Sequence, residues 1–501
     1  MESLSLLLHG FESALTLTNI IYCVIGVSIG MLVGILPGLG PVSGTALLIP
    51  VTFGMEPVTA IIMLSGIYYG SMYGGTITSV LINTPGESAS VITCIDGHQL
   101  AKQGRAGTAL GVAAIGSFIG GIVAVLGLTF LGPVLAEFGT RFGPPEYFTL
   151  MLLGLLTLVG LMGKSLVRGL IAAIFGLTLS LIGMDPASGA IRFTFGQQEL
   201  LGGIDFTVLA IGLFGISEIL SNAGNPTNME KPAKIQGLFP KKEEWLPTSM
   251  SIGRGTILGF LIGLIPGSNA AISSLMSYSL EKKRAKDPSR FGKGAIEGVA
   301  GPETANNAHS GASLIPLFTL GLPSSPTIAV ILGAFIVHGL TPGPALFTSN
   351  PDFIWAIIAS MFIGNVVLLI FNLPLAGVWA KVALIPYQLL FPILLLVCCV
   401  GTYTINNSLW DVGMMVLFGV IGYFMKKFDF PIAATVLTFV LGAQLETSLI
   451  QSLAISENGL LFLFLRPISG TLSVLCILIL ILSIFSALKK KRAYLASDVE
   501  V

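Results

Sequence analysis

Seven charge-free stretches long enough to cross a bilayer divide the chain, at residues 13–55, 57–86, 107–136, 255–280, 353–380, 382–410 and 467–488; a crossing helix needs about 20 apolar residues. Shorter apolar stretches at 147–163, 169–184, 206–217, 412–425 and 430–445 either complete a crossing with their flanks or enter and return. The pattern predicts an all-α polytopic membrane protein with roughly 10–12 transmembrane helices.

One motif within these stretches occurs twice. Residues 26–38 read GVSIGMLVGILPG and residues 255–267 read GTILGFLIGLIPG, aligning Gly26, Gly30, Gly34, Pro37 and Gly38 with Gly255, Gly259, Gly263, Pro266 and Gly267 at a constant offset of 229. A glycine at every fourth position frees one helix face for backbone-to-backbone packing. The Pro-Gly pair then ends the helix inside the apolar run, since proline lacks a donor and glycine tolerates the turn. Broken backbone at membrane depth is tolerated only where protein or a water-filled cavity surrounds it, and duplicated breaks point to a solute site.

Each break is followed by a polar stretch centred on proline. In the first half Asn83, Thr84, Glu87, Ser88 and Ser90 surround Pro85-Gly86; in the second, Leu322-Pro323-Ser324-Ser325 takes the corresponding place. Both predict re-entrant hairpins, with a surface loop as the plainer alternative, and the duplication predicts two inverted repeats. The resulting division is a first transmembrane repeat over 1–221, a cytoplasmic linker over 222–250, a second repeat over 251–465, and a C-terminal helix with a basic tail over 466–501.

Composition agrees: 53% of the 501 residues are hydrophobic and 10% charged, against about 25% charged in soluble domains. A net charge of zero conceals an asymmetry. Residues 1–101 hold no Lys or Arg, whereas 11 of the 25 basic residues fall between Lys231 and Lys293, and Lys489, Lys490, Lys491 and Arg492 follow the last apolar run. The positive-inside rule makes those regions, and the C-terminus, cytoplasmic, with Lys426-Lys427 as a further cytoplasmic marker. Lys102 and Arg105 follow the first hairpin, so their loop is itself a candidate for that face. The basic tail could also meet anionic membrane lipid. No positive n-region precedes the first helix, which predicts no cleaved leader. The five cysteines lack metal-ligand spacing and read as packing residues.

The segments GILPGLGPVSGTALLIP, YGGTITSVLINTPGESAS, GLIPGSNAAISS and GPETANNAHSGASLIPLFTLGLP resemble the large membrane subunit of the tripartite tricarboxylate transporters over nearly the whole chain. The resemblance implies a permease of the bacterial inner membrane that works with a small transmembrane subunit and a periplasmic solute-binding protein. It further implies import of a citrate-like carboxylate, although substrates vary within the family. Nucleic acid has no place in this reading.

A polycarboxylate brings two or three negative charges, yet none of the four motifs contains Lys or Arg. Helix N-termini contribute about 0.3–2 kcal/mol each, less than the several kcal/mol that burial of an unpaired ion costs. Co-bound cations, a protonated substrate or a wet cavity would close the gap. The candidate substrate-binding residues are Pro37, Gly38, Ser43, Gly44, Thr45, Asn83, Thr84, Pro85 and Gly86 in the first repeat. Those of the second are Pro266, Gly267, Ser268, Asn269, Ser273, Pro323, Ser324 and Ser325. The hydroxyl-bearing members equally suit satisfaction of the broken backbone. Candidate cation ligands, for Na⁺ or for H⁺, are Glu87, Ser88, Asn306, Asn307, His309 and Ser310; Asn306 and Asn307 also suit helix capping.

The expectation is cation symport, with Na⁺ ahead of H⁺, for which Glu87 and His309 would be carriers. An intramembrane enzyme is the rival from another class, but the chain has no HExxH, GxGD or nucleophile-elbow pattern. Gly163-Lys164-Ser165 resembles the end of a phosphate-binding loop, yet Leu158 stands where its first glycine belongs. An ion channel is the third reading.

Overall fold

The computed structural model describes residues 2–36, 39–162, 165–185, 188–222, 235–382, 387–457 and 459–497. Apart from one short antiparallel pair, Gly183–Met184 with Ile191–Arg192, the regular elements among them are helical. Six described helices are long and apolar enough to cross a membrane, and five shorter apolar helices accompany them. The protein is an all-α, multi-pass membrane protein.

Its first half is built by α1 (Leu17–Ile35), α2 (Gly40–Leu48), α3 (Pro57–Ile82), α4 (Val91–Lys102) and α5 (Ala106–Gly139). The second half repeats the order with α6 (Trp245–Gly263), α7 (Ala270–Arg284), α8 (Glu297–Ala312), α9 (Leu314–Leu320), α10 (Pro326–Val337) and α11 (Pro351–Asn372). Pro37 and Gly38 lie outside the described residues, but Leu36 and Gly40 bracket the first break. The second runs from Leu264 to Asn269, with Gly267 at φ +79°. α6 starts at Trp245, inside the stretch expected to be linker, and Arg105 reaches its threshold through Glu244 at 2.6 Å.

The four-residue glycine ladders meet backbone, as their spacing predicts. A methyl added at Gly26, Gly30 or Gly34 would overlap Met63, Ile67 or Ser71 of α3, and one at Gly255, Gly259 or Gly263 would overlap Gly301, Ala305 or His309 of α8. The register advances equally on both partners, so α1 runs parallel to α3 and α6 parallel to α8. Parallel packing forces the breaks to be re-entrant. Pro57 lies level with about residue 20 of α1, so the chain must retreat about 24 Å between Leu36 and Pro57, and the nine residues of α2 cover about 13 Å of that. α7 returns likewise, with Ser273 beside His309 and Glu281 beside Gly301.

The polar hairpins close by the same chemistry in both halves. α3 ends on left-handed Asn83 (φ 53°) and the Thr84 amide bonds back to the Thr78 carbonyl at 3.3 Å; α9 ends on left-handed Gly321 (φ 70°) and the Leu322 amide bonds back to Pro316 at 3.2 Å. These are matching six-residue C-caps. The chain then turns inward, Gly86 settling between Gly34 and Gly75, and Ser324 donating to the Ser313 carbonyl at 2.8 Å. α3 and α8 cross the centre in opposite senses, for Thr76 meets Glu303 whereas Tyr68 meets Ser313.

Candidate functional site

Between the two halves lies a cavity of about 550 Å³. The starts of α2 (Gly40, Pro41), α7 (Asn269, Ala270) and α10 (Ser325, Pro326) line it, and Glu87 and Ser88, which lead into α4, complete the wall. Helix starts and their aligned peptide dipoles thus converge on one space from both repeats, an arrangement that favours an anion. Asn269 caps α7 by accepting the Ala271 amide at 3.0 Å, and Ser325 caps α10 by accepting that of Ile328 at 3.4 Å.

Of the expected residues the structure brings Ser43, Glu87, Ser88, Asn269, His309 and Ser325 to this wall. Ser43 donates to the Phe214 carbonyl at 3.3 Å, on a helical run whose Ile211–Ile216 segment is a π-helix. Ser273 stands behind His309, 2.9 Å from Nδ1, while His309 Nε2 is buried without a partner. Asn306 stands behind Glu87, donating to its Oε1 at 3.2 Å and leaving its own Oδ1 unpartnered.

The remainder is used elsewhere. Thr45 donates to Pro41 within α2 at 2.8 Å, and Gly44 packs on Val33. Asn83 is the exposed left-handed cap, Thr84 donates to Ile82, and Pro85 and Gly86 form the inward turn. Pro266 and Gly267 form the second break, where Ser268 satisfies the Ile262 carbonyl at 2.8 Å. Pro323 is buried in the second turn beside Ser324. Ser310 bonds back to Asn306 within α8, and Asn307 faces α5, donating to Ser117 at 2.7 Å. Neither asparagine caps a helix; both lie inside α8.

Three groups complete the site that the motif reading did not assign to it. Glu303 is 1% exposed and accepts from Thr76 at 2.6 Å and from Thr93. It stood in view within GPETANNAHSG. Glu218 and Lys426 pair on the cavity wall; Lys426 looks in sequence like a boundary marker beside Lys427, and only tertiary structure brings it to that wall.

A multi-pass membrane protein whose two halves each bring helix starts and polar side chains to a shared, largely apolar cavity has the form of a solute carrier. The family model for the "Tripartite tricarboxylate transporter TctA family" matches residues 20–437, and the chain belongs to that family. It is a family of transporters, not of enzymes, and forms part of a three-component system. The chain is 45% identical over 493 residues, covering 98% of both chains, to an "Uncharacterized 52.8 kDa protein in TAR-I ttuC' 3'region" of Agrobacterium vitis. It is also 45% identical over 234 residues, 47% of this chain and 97% of the relative, to an "Uncharacterized protein in TAR-II ttuC' 3'region" of the same organism. No solved structure matches.

Proposed function

We propose that the chain is the large permease subunit of a binding-protein-dependent secondary transporter, importing a citrate-like carboxylate across the bacterial inner membrane by Na⁺ symport. The observation that carries the proposal is the cavity on which helix starts from both halves converge. The opposite senses of α3 and α8 support reading the halves as inverted repeats, as in carriers whose discontinuous helices meet at mid-membrane. Lys102, Arg105, Lys282 to Lys293 and the end of the helix that carries Lys426 all lie toward one end, which supports a cytoplasmic assignment for that end and for the C-terminus.

Coupling is assigned to the seam behind the cavity. Glu87 and Glu303 are both buried, and their hydrogen-bond partners are Thr76, Thr93, Asn306 and backbone, with no Lys or Arg among them. If both are ionised during transport, carboxylates so placed call for a cation. The free Asn306 Oδ1 beside Glu87 supplies the oxygen chemistry that suits Na⁺. The small transmembrane subunit and the periplasmic binding protein complete the system, the latter delivering solute.

Uptake into proteoliposomes bearing the complete system tests this. Replacing external Na⁺ by choline at constant pH is expected to abolish accumulation, and omitting the binding protein is expected to leave little uptake at micromolar solute. Accumulation that persists without Na⁺ and follows the pH gradient would instead assign coupling to protons, with Glu87 or His309 as carrier. Full-rate uptake without the binding protein would overturn the three-component reading.

A further inference from the structure

We propose that Lys426 takes a carboxylate of the solute, and that Glu218 is the stand-in that holds its ammonium at the cavity wall while no solute is bound. The inference rests on the carboxylate reading above and adds to it the residue that recognises charge. Lys426 is the single Lys or Arg among the described residues that line the cavity.

Its position is fixed by packing. The helix Leu409–Lys427 lies along the run Phe206–Asn222, with Gly419 against Ile216 and Gly422 against Leu213 and Ser217. That register sets Lys426, in the last turn, opposite Glu218. Glu218 is one helical turn beyond Phe214, whose carbonyl accepts from Ser43 at the start of α2. The ammonium therefore stands about one turn from the helix start where an anion gains from the peptide dipole.

The pair is built to exchange partners. Both side chains retain solvent access, 30% for Lys426 and 17% for Glu218, so the pair is worth less to the fold than a dry one. Glu218 also accepts from Asn222 at 2.7 Å, which keeps its carboxylate partnered when the ammonium leaves. The lysine stem is long enough to swing the charge inward. His309, on the same wall, keeps its Nε2 buried with no partner. A cavity whose single lysine among the described lining residues is neutralised by a displaceable carboxylate accepts an anion by substitution, without any cation having to be bare beforehand.

Equilibrium binding to the purified membrane complex, in Na⁺ and without the binding protein, tests this with citrate, succinate and acetate as probes. Lys426→Gln and Glu218→Gln each remove one charge of the pair and keep a polar side chain in its place, the second with its shape unchanged. For Lys426→Gln the expected result is citrate affinity lowered about tenfold or more, with a smaller loss for succinate; truncation of one partner of a charge pair has effects of that size. For Glu218→Gln it is affinity unchanged or raised. Equal losses in both variants, with lowered melting temperatures, would make the pair a structural strap and overturn the inference. So would citrate binding that Lys426→Gln leaves intact. If the wild-type complex binds none of the three acids, the carboxylate reading itself falls and this inference with it.

Discussion

Glu303 is held from the opposite half of the molecule by Thr76 of α3 and Thr93 of α4, and it is buried. If its charge belongs to the coupling cation, Glu303→Gln removes the charge and keeps the shape. One threonine loses its acceptor, a cost of about 1 kcal/mol, so the folded yield should hold. Na⁺-driven accumulation should fall to the level of vesicles lacking the transporter. Uptake normalised to embedded protein checks this, and an unchanged Na⁺ dependence would remove Glu303 from the coupling site. At this scale the sequence was only partly legible. Asn306 and Asn307 look alike in the string, yet neighbours on a helix point about 100° apart; one faces Glu87 and the other Ser117. Ser43 and Thr45 differ for the same reason, one reaching the cavity wall and the other its own backbone. Helix rotation decides each case, and it depends on packing partners far along the chain.

The elements were more readable, because breaks and ladders are written in local chemistry. Glycine every fourth residue announces a backbone contact wherever its partner lies, and Pro-Gly announces a stop. What stayed hidden was that both breaks are re-entrant, which follows only from the parallel packing of α1 on α3 and α6 on α8. The ladder also sorts site from scaffold. Gly26→Leu or Gly259→Leu would drive a side chain into the Met63 or Ala305 backbone, and overpacking of this kind costs about 1–3 kcal/mol or more. Gly253→Leu, on α6 beside the ladder, meets nothing within 4 Å and serves as the control. Size-exclusion profiles of tagged protein should show loss of the monodisperse peak for the first two and not for the third. A normal peak for Gly259→Leu would contradict the packing of α6 on α8. Gly267→Leu is a harsher change than apolarity alone suggests, since its φ of +79° strains any side chain.

For the whole molecule, the two halves share one element order, cross in opposite senses at α3 and α8, and leave a cavity where they meet. Fold class and family were legible in the sequence because membrane spans and the paired motifs are long, local signals. The cavity was legible only in outline: its cation comes from Lys426, far from every motif, and its wall borrows Phe214 and Glu218 from a helix with no distinguishing pattern. A carrier whose solute sits in that cavity should shield both halves together. All five native cysteines are free, so a cysteine-free background gives a clean label. The most direct measurement is the rate of maleimide reaction at Ser88→Cys and at Ser325→Cys, one from each half, in the complete system with Na⁺ and saturating carboxylate. Slowed labelling at both positions, with no change at exposed Ser289→Cys, is the predicted result; unchanged labelling at both while uptake proceeds would place the solute elsewhere.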